Sequence, residues 1–495
     1  MSLRIHTIRG LFWSAVQRTG GQAISLIAFI LLSRLLPPSD FGLLALANVY
    51  VLAGLLLIEQ GVNQAIIQRS DVSQGHLDAA FILCMSVAGL LVAATLLLAS
   101  PLAAFFHEPR LAPVLRWMSL SFLFSGLRAT QSAILQRQLR FRDLALRTTA
   151  AETFAGGVGV AMAVAGLGVW SLVGQSLSRG LAGAVVLWRV SAWRPRIRLA
   201  GRPLQELATF GTPVLADRLV NLVQGKADDL IIGYALGTAA LGYYTVGYRI
   251  LSYVLQLISG TVQSVALPVL SRLRPDVERL RRVFLAMQSY LAIAAFPVFV
   301  GLALVAPDLV PLLFGPRWAP SIPVMQVLAL AGAAKILPVS TATLLVALGR
   351  PGLQLRINLL TTGLAVVGFA AVVHLGVVAV AFVHLLVNVL LVPLHTVVTR
   401  RTAGVPYPSY VKAFRGPACG ILVMSAVLLV VGRLDLGQMS SAVGIGLQVT
   451  LGAAVYLATT YALDRAAFQR ARQALAEGVL PWQGRHGAEE SIEGW

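Results

Sequence analysis

The sequence has little charge, few cysteines and no long polar segment. Only 12% of its 495 residues are Asp, Glu, Lys or Arg, whereas soluble domains carry about 25%. The 2 cysteines, Cys84 and Cys419, fall in apolar stretches and give neither a disulfide framework nor a metal-ligand spacing. The scarcity of charge excludes an ordinary soluble protein. The short polar gaps leave no room for a sizeable domain outside the membrane.

What the chain does contain is a series of long apolar stretches. Hydrophobic residues make up 57% of the sequence, and the mean hydropathy is +0.79. Most stretches reach about 20 residues, the length that a helix needs to cross a bilayer. The pattern predicts an all-α integral membrane protein with fourteen transmembrane helices, near 11–36, 42–67, 79–104, 112–135, 148–166, 168–188, 207–236, 238–268, 284–306, 319–348, 353–373, 375–399, 416–432 and 440–463. The first follows Arg4 and Arg9 and is too long for a signal-peptide core, so we expect it to remain as a span.

The basic residues alternate between gaps, and this alternation predicts the orientation. Of the 39 Lys and Arg residues, 27 fall in every second gap or the termini, 5 in the other gaps and 7 within spans. Cytoplasmic loops retain Lys and Arg during insertion, so both termini are predicted to be cytoplasmic in a bacterial inner-membrane protein. The net charge of +19 is dispersed over short loops, a distribution that argues against nucleic-acid binding.

The two halves of the chain resemble each other at an offset of 200 residues. Phe41-Gly42 matches Leu241-Gly242, and Arg18 matches Arg218. Six spans separate the copies, so both run in the same direction, as in transporters built from parallel repeats around a central substrate site. We therefore predict two six-helix bundles related by pseudo-two-fold symmetry, at 1–200 and 201–402. Two additional transmembrane helices at 403–464 and a cytoplasmic tail at 465–495 complete the predicted organisation.

Seven basic residues lie within predicted spans, where an ionisable side chain costs roughly 2.5–3.5 kcal/mol and therefore usually faces a cavity or a partner. At helical spacing, Asp217, Asn221, Gln224 and Asp228 share one face of the seventh span. The eighth span carries a second polar face of Arg249, Tyr253, Gln256, Gly260 and Gln263. Two neighbouring polar faces predict one wall of an aqueous cavity.

The functional interpretation of these residues is an anion-binding cavity. Arginine suits phosphate because its planar guanidinium donates two parallel hydrogen bonds. The predicted substrate-binding cations are Arg18, Arg218, Lys226 and Arg249, and the predicted polar lining is Asn221, Tyr253, Gln256 and Gln263. A carboxylate among Asp217, Asp228 and Asp229 is a candidate for coupling to H⁺ or Na⁺. No catalytic residue, metal or organic cofactor is predicted.

Local pairing is the competing interpretation. Asp217 beside Arg218, or Lys226 near Asp228 and Asp229, would then only hold helices together. Glu152 is expected to reach the membrane interface, and Arg179 is a second-rank candidate for the cavity. For His384 in an apolar span we expect core packing or a backbone hydrogen bond, with proton coupling as the minor alternative.

Several stretches resemble a known family. They are GLFWSAVQRTGGQAISLIAFILLSRLLPPSDFGLLALA at 10–47, GVNQAIIQR at 61–69, AILQRQLRFRDLA at 133–145, LGYYTVGYRI at 241–250, FGPRWAPSIPVMQVLAL at 314–330 and LLVALGRPGLQLRINLL at 344–360. Together they resemble bacterial polysaccharide transporters, nearest to the colanic-acid and succinoglycan exporter type, within the multidrug/oligosaccharidyl-lipid/polysaccharide exporter superfamily. The resemblance covers about 1–400 well and the last two spans loosely. The family has no universal binding-residue motif, so no site residue is transferred from it.

The resemblance implies a flippase that moves undecaprenyl-diphosphate-linked oligosaccharide units by alternating access through a cationic central cavity. It implies membrane lipids and lipid-linked oligosaccharide as partners, with a polysaccharide polymerase and chain-length or export proteins as further candidates. A different cargo, such as a peptidoglycan lipid precursor or a drug, remains the first alternative. A membrane glycosyltransferase or polymerase is less favoured because the predicted outer gaps are short. We therefore predict a transporter that is not an enzyme.

Overall fold

The computed structural model of the protein describes residues 20–59, 66, 72–196, 201–432, 441–463 and 465. Within these ranges, the side chains of 59, 201–217, 259–265, 337 and 441 are not described. The described ranges are predominantly helical, and they contain no strand. Two short 3₁₀ segments, Pro316–Trp318 and Val373–Leu375, interrupt the α-helices.

Sixteen α-helices follow one another in the described ranges. They are α1 (Gly20–Leu35), α2 (Pro38–Glu59), α3 (Gln74–Phe105), α4 (Leu111–Met118), α5 (Leu120–Arg137), α6 (Phe141–Val164), α7 (Val169–Val190), α8 (Gly201–Arg272), α9 (Val277–Phe314), α10 (Ser321–Ala334), α11 (Ile336–Ala347), α12 (Pro351–Val372), α13 (Val377–Leu390), α14 (Val392–Ala403), α15 (Tyr407–Val431) and α16 (Ser441–Leu463).

Many of these helices carry the surface that a bilayer requires. In the described part of the chain, 9 helical segments are long and apolar enough to cross a membrane, and Gly20–Leu35 is a shorter apolar helix. Leu90 and Leu97 on α3 are 70% and 78% exposed, a position that suits lipid and not water. Multi-pass membrane insertion is therefore confirmed. The number of fourteen spans and the orientation stay predictions.

Glycines break the helices at the places where the sequence predicts boundaries. Gly166 and Gly168 have φ values of 78° and 55°, and they separate α6 from α7 because left-handed backbone suits glycine. Gly237, with φ 81° and ψ 178°, is a non-helical residue inside α8. It divides that helix into two arms, 201–236 and 238–272, at the predicted boundary between the seventh and eighth spans.

Polar side chains anchor the second arm of α8 next to this break. Thr238 Oγ1 donates to Glu108 Oε2 over 3.0 Å, and Arg110 donates to both carboxylate oxygens of Glu108, over 2.9 and 3.1 Å. The hydrogen bond from Arg110 lowers the pKa of Glu108, with a smaller lowering from Thr238. The loop between α3 and α4 is therefore tied to the start of the second arm.

The chain divides into two compact units. The first unit contains Met1–Tyr253, Val310–Met325 and Leu355–His384, and the second contains Val254–Leu309, Gln326–Gln354 and Leu385–Trp495. The boundaries between them fall within α8, α9, α10, α12 and α13. Each unit is a set of residues that lie close together in space, and such a set need not coincide with a repeat along the chain. The predicted division at 200, 402 and 464 therefore stays a prediction.

Within the first unit, the repeated glycines meet at a helix crossing. A Cβ on Gly42 would collide with the carbonyl oxygen of Thr238 and would lie 2.9 Å from the Gly242 nitrogen. A Cβ on Gly242 would collide in turn with the carbonyl oxygen of Pro38. The contact is reciprocal at the 200-residue offset, since Gly42 meets residue 238 and Gly242 meets residue 38. Reciprocal contacts of this kind arise around a two-fold axis.

A second reciprocal contact in the first unit joins the end of α1 to the end of α9. Arg34 donates through Nε to the carbonyl of Leu313 over 2.9 Å and through Nη2 to the carbonyl of Leu312. Arg317 Nη2 donates to the carbonyl of Arg34 over 2.8 Å. Each arginine thereby satisfies carbonyls that the last turn of the other helix leaves without an intrahelical partner. Trp318 Nε1 adds a bond to the Ser33 carbonyl over 2.8 Å.

Candidate functional site

Arg249 on the second arm of α8 is the centre of a cationic site in the first unit. Its guanidinium carbon lies 4.8 Å from the centre of the Phe29 ring on α1 and 5.1 Å from that of Tyr253. Nη2 donates to Ser25 Oγ over a long 3.4 Å. Among the described residues, the buried Nε has no hydrogen-bond partner. Arg249 is therefore held by aromatic faces and a hydroxyl, and no carboxylate in the described part of the chain bonds to it.

A second arginine and one carboxylate lie near this cation. Arg179 Nε on α7 is 2.9 Å from Glu152 Oε1 on α6, although the N–H direction does not meet the geometry of a hydrogen bond. Both residues are close enough to interact electrostatically with Arg249. Two cations and one carboxylate leave this group with a net positive charge, which favours an anionic ligand. Arg179 pairs with Glu152, and the expectation that Glu152 reaches the membrane interface stays a prediction.

The first arm of α8 carries a buried acid–base network. Asp228 Oδ2 accepts from the Tyr244 hydroxyl over 2.7 Å and lies 3.0 Å from His384 Nε2 on α13. Asp228 Oδ1 accepts from the backbone N–H of Asp229 over 2.9 Å. Lys226 Nζ donates to Asp229 Oδ2 over 2.6 Å. The two carboxylates are thus matched by one lysine and one histidine, and the charge of the network depends on whether His384 is protonated.

This network resolves one of the sequence alternatives. Lys226 forms the local ion pair with Asp229 that the spacing allowed, so it is not an isolated cation. The ring of His384 packs against that of Phe369 with 4.8 Å between their centres, as expected for core packing, but it also bonds to a carboxylate, which was not expected. No three His, Cys, Asp or Glu side chains in the described ranges are grouped so as to hold a metal ion.

Some of the other predicted site residues lie outside the described part of the structure. Arg18 lies outside the described residues, as do the side chains of Asp217 and Gln263. Arg218 is half-buried, while Asn221 and Gln256 are exposed, and each of the three makes an interaction of its own. Tyr253 lies beneath Arg249 as its helical spacing predicted. The substrate-binding role of all these residues stays a prediction.

Sequence reasoning missed the partners that lie far apart in the chain. His384 is 156 residues from Asp228, and Ser25 is 224 residues from Arg249. One signal was available for His384, because a buried carboxylate in a membrane helix requires a donor and few polar residues exist in the spans to supply one. No local pattern indicates that Phe29 lies against Arg249.

The second unit contains an apolar cavity of about 550 Å³. Pro297 and Val298 of α9, Met424 of α15, and Val449 and Tyr456 of α16 are among its lining residues. Gln448 is the main polar group in the lining and donates to Asp308 over 3.1 Å. A lining of this kind accommodates hydrocarbon.

Curated proteins with similar sequences are named for polysaccharide biosynthesis. The chain is 26% identical over 368 residues to the lipopolysaccharide biosynthesis protein WzxC of Escherichia coli (strain K12), covering 73% of this chain and 74% of that protein. It is 26% identical over 395 residues to the teichuronic acid biosynthesis protein TuaB of Bacillus subtilis (strain 168), covering 78% and 81%.

The fold resembles that of a solved flippase. The structure of the lipid II flippase MurJ in its inward closed conformation matches with a TM-score of 0.75 at 12% identity, covering 92% of this chain and 99% of that one. At this identity the match shows the fold alone. The all-helical transporter fold expected from the sequence resemblance is thereby confirmed.

The family assignment follows from a match over more than half of the sequence. Residues 31–323, which include α2 to α7 and both arms of α8, match a family described as polysaccharide biosynthesis protein. The two curated relatives are named for the same kind of pathway. This multi-pass membrane chain therefore belongs to the polysaccharide biosynthesis protein family.

Proposed function

We propose that the protein is a flippase for undecaprenyl-diphosphate-linked oligosaccharide, serving exopolysaccharide, capsule or O-antigen synthesis. It transfers the cargo across the bacterial inner membrane by alternating access, with fourteen spans and both termini on the cytoplasmic side. Polysaccharide polymerases and chain-length or export proteins are its proposed partners. The chain performs no covalent chemistry in this proposal.

The observation that carries the proposal is Arg249. It lies inside a membrane helix with one N–H unpaired among the described residues and with no carboxylate bonded to it. A buried guanidinium in this state favours an oxyanion, and a diphosphate presents oxygens that suit its planar fork. The nearby Arg179 adds positive potential, while Glu152 offsets only one of the two charges. A cationic drug is disfavoured by the same charge balance.

The cargo also has a long hydrocarbon tail, which stays in the membrane during transfer. The apolar cavity lined by α9, α15 and α16 offers it a protein surface of matching polarity. The sugars would occupy polar space beside Tyr253 and the predicted lining of Asn221, Gln256 and Gln263. The polarity of the cavity therefore suits the hydrocarbon part of such a cargo.

We assign coupling of the transport cycle to protons, through Asp228 and His384. The charged and titratable groups around Asp228 are Lys226, Asp229, Tyr244, Tyr248 and His384. Three donors already point at the oxygens of Asp228, which leaves little room for sodium ligation. Uptake of one proton by this network changes its buried charge by one, which supplies a means of biasing a conformational equilibrium.

The test is flipping in proteoliposomes with purified Arg249→Gln and Arg249→Lys variants. Loss of a charge-assisted hydrogen bond is worth about 1.5–3 kcal/mol, so Arg249→Gln should slow flipping of a diphosphate-linked oligosaccharide lipid by roughly 10-fold to 100-fold. Arg249→Lys retains the charge and should lose less. Arg116→Gln is the matched control, since Arg116 is exposed and its side chain donates to Ser100 Oγ over 2.9 Å, its single partner among the described residues.

Two comparisons make the result decisive. A neutral lipid-linked sugar without phosphate should move no faster in wild type than in Arg249→Gln. Substitution of lipid II for the oligosaccharide lipid tests the alternative cargo, and preferential transport of lipid II would replace the proposed substrate. Equal diphosphate-lipid flipping by wild type and Arg249→Gln would refute the assignment of Arg249.

A further inference from the structure

A dense group of exposed cations surrounds the helix ends at one edge of the second unit. We name it the basic rim, and it consists of Arg272, Arg274, Arg279, Arg282, Arg350, Arg400, Arg401, Lys412 and Arg415. A shared hydrophobic cluster that includes Leu270, Leu280, Ala347, Ala403 and Tyr410 packs the ends of α8, α9, α11, α14 and α15 together. The rim residues therefore form one surface and not a series of separate loops.

Among the described residues, no acidic side chain forms an ion pair with the rim. The described part of the second unit has three acidic residues, Asp276, Glu278 and Asp308. Asp276 accepts from the backbone N–H of Arg279 over 2.9 Å, and Glu278 pairs with Arg281 over 3.2 Å. Asp308 accepts from Gln448. Within the described residues, none of the nine rim side chains forms a hydrogen bond or an ion pair.

Two of the rim arginines occupy positions that a helix by itself disfavours. Arg279 and Arg282 lie in the first two turns of α9, where the helix dipole is positive. They are also like charges at i, i+3 spacing, which repel each other on one face. The N-termini of α12 and α15 add further positive potential at Arg350 and Lys412. A bound anion offsets both the repulsion between the two arginines and their unfavourable interaction with the helix dipole.

Several arginines of the first unit are bonded within the protein. Arg137 donates to the carbonyl of Ile66, Arg140 pairs with Asp143, and Arg194 donates to carbonyls that include those of Ser191 and Trp188. The general bias of loop charge that orients membrane proteins places basic residues in both units. The rim differs from single exposed arginines because nine cations lie around the helix ends that one hydrophobic cluster holds together.

We propose that the basic rim binds the phosphate headgroups of anionic phospholipids in the surrounding leaflet. The rim lies where apolar spans end, at the depth of the headgroups, and eight of its nine cations are arginines, which bind phosphate in a bidentate manner. The exposed Tyr407 at the start of α15 is the type of aromatic residue that lies at this interface. The proposal is independent of the cargo, because it concerns lipids that are not transported.

The experiment measures lipid binding to the full-length protein by native mass spectrometry and by thermal unfolding in mixed micelles. The probes are cardiolipin and phosphatidylcholine. Wild type should bind cardiolipin in preference and unfold at a higher temperature with it. Each surface arginine contributes about 1 kcal/mol, so Arg279→Gln/Arg282→Gln should weaken cardiolipin binding roughly 30-fold. Because both charges oppose the helix dipole, their removal should not lower stability in phosphatidylcholine.

The matched control is Arg189→Gln/Arg196→Gln, which removes two exposed charges from the first unit. Unchanged cardiolipin binding in this control supports the proposal, and an equal loss would show a non-specific attraction and overturn it. If Arg279→Gln/Arg282→Gln does not fold, Arg400→Gln/Lys412→Gln serves as the second variant. Binding of soluble polyglutamate to the rim, undisplaced by cardiolipin, would indicate an acidic protein partner and would also overturn the proposal.

Discussion

Arg249 and Lys226 show how two cations in membrane helices reach different states. Lys226 has a carboxylate three residues away on its own helix, and the resulting pair is 2.6 Å long. Arg249 has no acid within a turn and instead lies over Phe29 and Tyr253. An aromatic face offsets only part of the cost of burying a charge. Arg249, to which no described carboxylate is bonded, is therefore the cation that an anionic ligand stabilises more.

The Asp228–His384 pair gives a prediction about pH. His384→Gln preserves a hydrogen-bond donor near Asp228 but removes the titratable ring. We expect the variant to insert and fold, and we expect its flipping rate to lose the response to a proton gradient that wild type shows. Flipping is measured in proteoliposomes with the pH set independently on each side.

The control for this prediction is His374→Gln. His374 lies in the 3₁₀ segment Val373–Leu375, apart from the acid–base network. Its gradient response should match that of wild type. A sodium gradient imposed at constant pH tests the other ion, and stimulation of wild type by sodium alone would contradict proton coupling.

At the residue scale, the sequence predicts which groups are costly to bury but not which groups meet. The spacing of Arg249 and Tyr253 was enough to place both on one face, because helical periodicity is local. The contact of His384 with Asp228 depends on how α13 packs against α8, and this packing is set by many apolar contacts of similar energy. The same limit applies to Glu152 and Arg179, which were expected in different environments.

At the element scale, the crossing at Gly42 and Gly242 is the most constrained part of the first unit. The neighbours of each absent Cβ are backbone atoms, which cannot move without displacing a helix. Gly42→Ala and Gly242→Ala should each lower the free energy of unfolding by about 1–3 kcal/mol. Thermal unfolding of the purified variants in detergent measures this loss.

Gly89→Ala provides the comparison for the crossing. Gly89 lies in α3, and a Cβ placed there meets no atom within 4 Å. Alanine is favoured over glycine in a helix by about 0.5–1 kcal/mol, so this variant should be as stable as wild type or slightly more stable. Similar stability of Gly42→Ala and Gly89→Ala would contradict the close backbone approach.

The ends of the helices were easier to predict from the sequence than the contacts between helices. Gly166, Gly168 and Gly237 end helices because their backbone conformations exclude most other residues, and this information is local. The extra breaks near Ser119, Lys335 and Leu391, which separate α4 from α5, α10 from α11 and α13 from α14, were not predicted. Pro338 and Pro393 follow the second and third breaks closely and are local signals for them, whereas no proline follows the break at Ser119.

For the whole molecule, the alternating charge predicts on which side of the membrane each gap lies. Replacing Cys84 and Cys419 with Ala gives a cysteine-free background, since both are free thiols. Single cysteines at the exposed positions of Pro109 and Pro320 should react with a membrane-impermeant maleimide in intact spheroplasts. Those at the exposed positions of Gln138 and Pro275 should react only after permeabilisation. Reaction of Gln138→Cys from outside would contradict the predicted orientation.

The bonds that Arg34 donates to the end of α9, and that Arg317 donates back to the end of α1, make the separation of these two segments a cooperative event. Trp318 adds a further bond across the same junction. Withdrawal of either segment leaves carbonyl groups of both segments without hydrogen-bond donors at the same time. Partly separated arrangements therefore gain no replacement hydrogen bonds. Opening there should consequently be abrupt, with a high activation barrier and few half-open molecules at equilibrium.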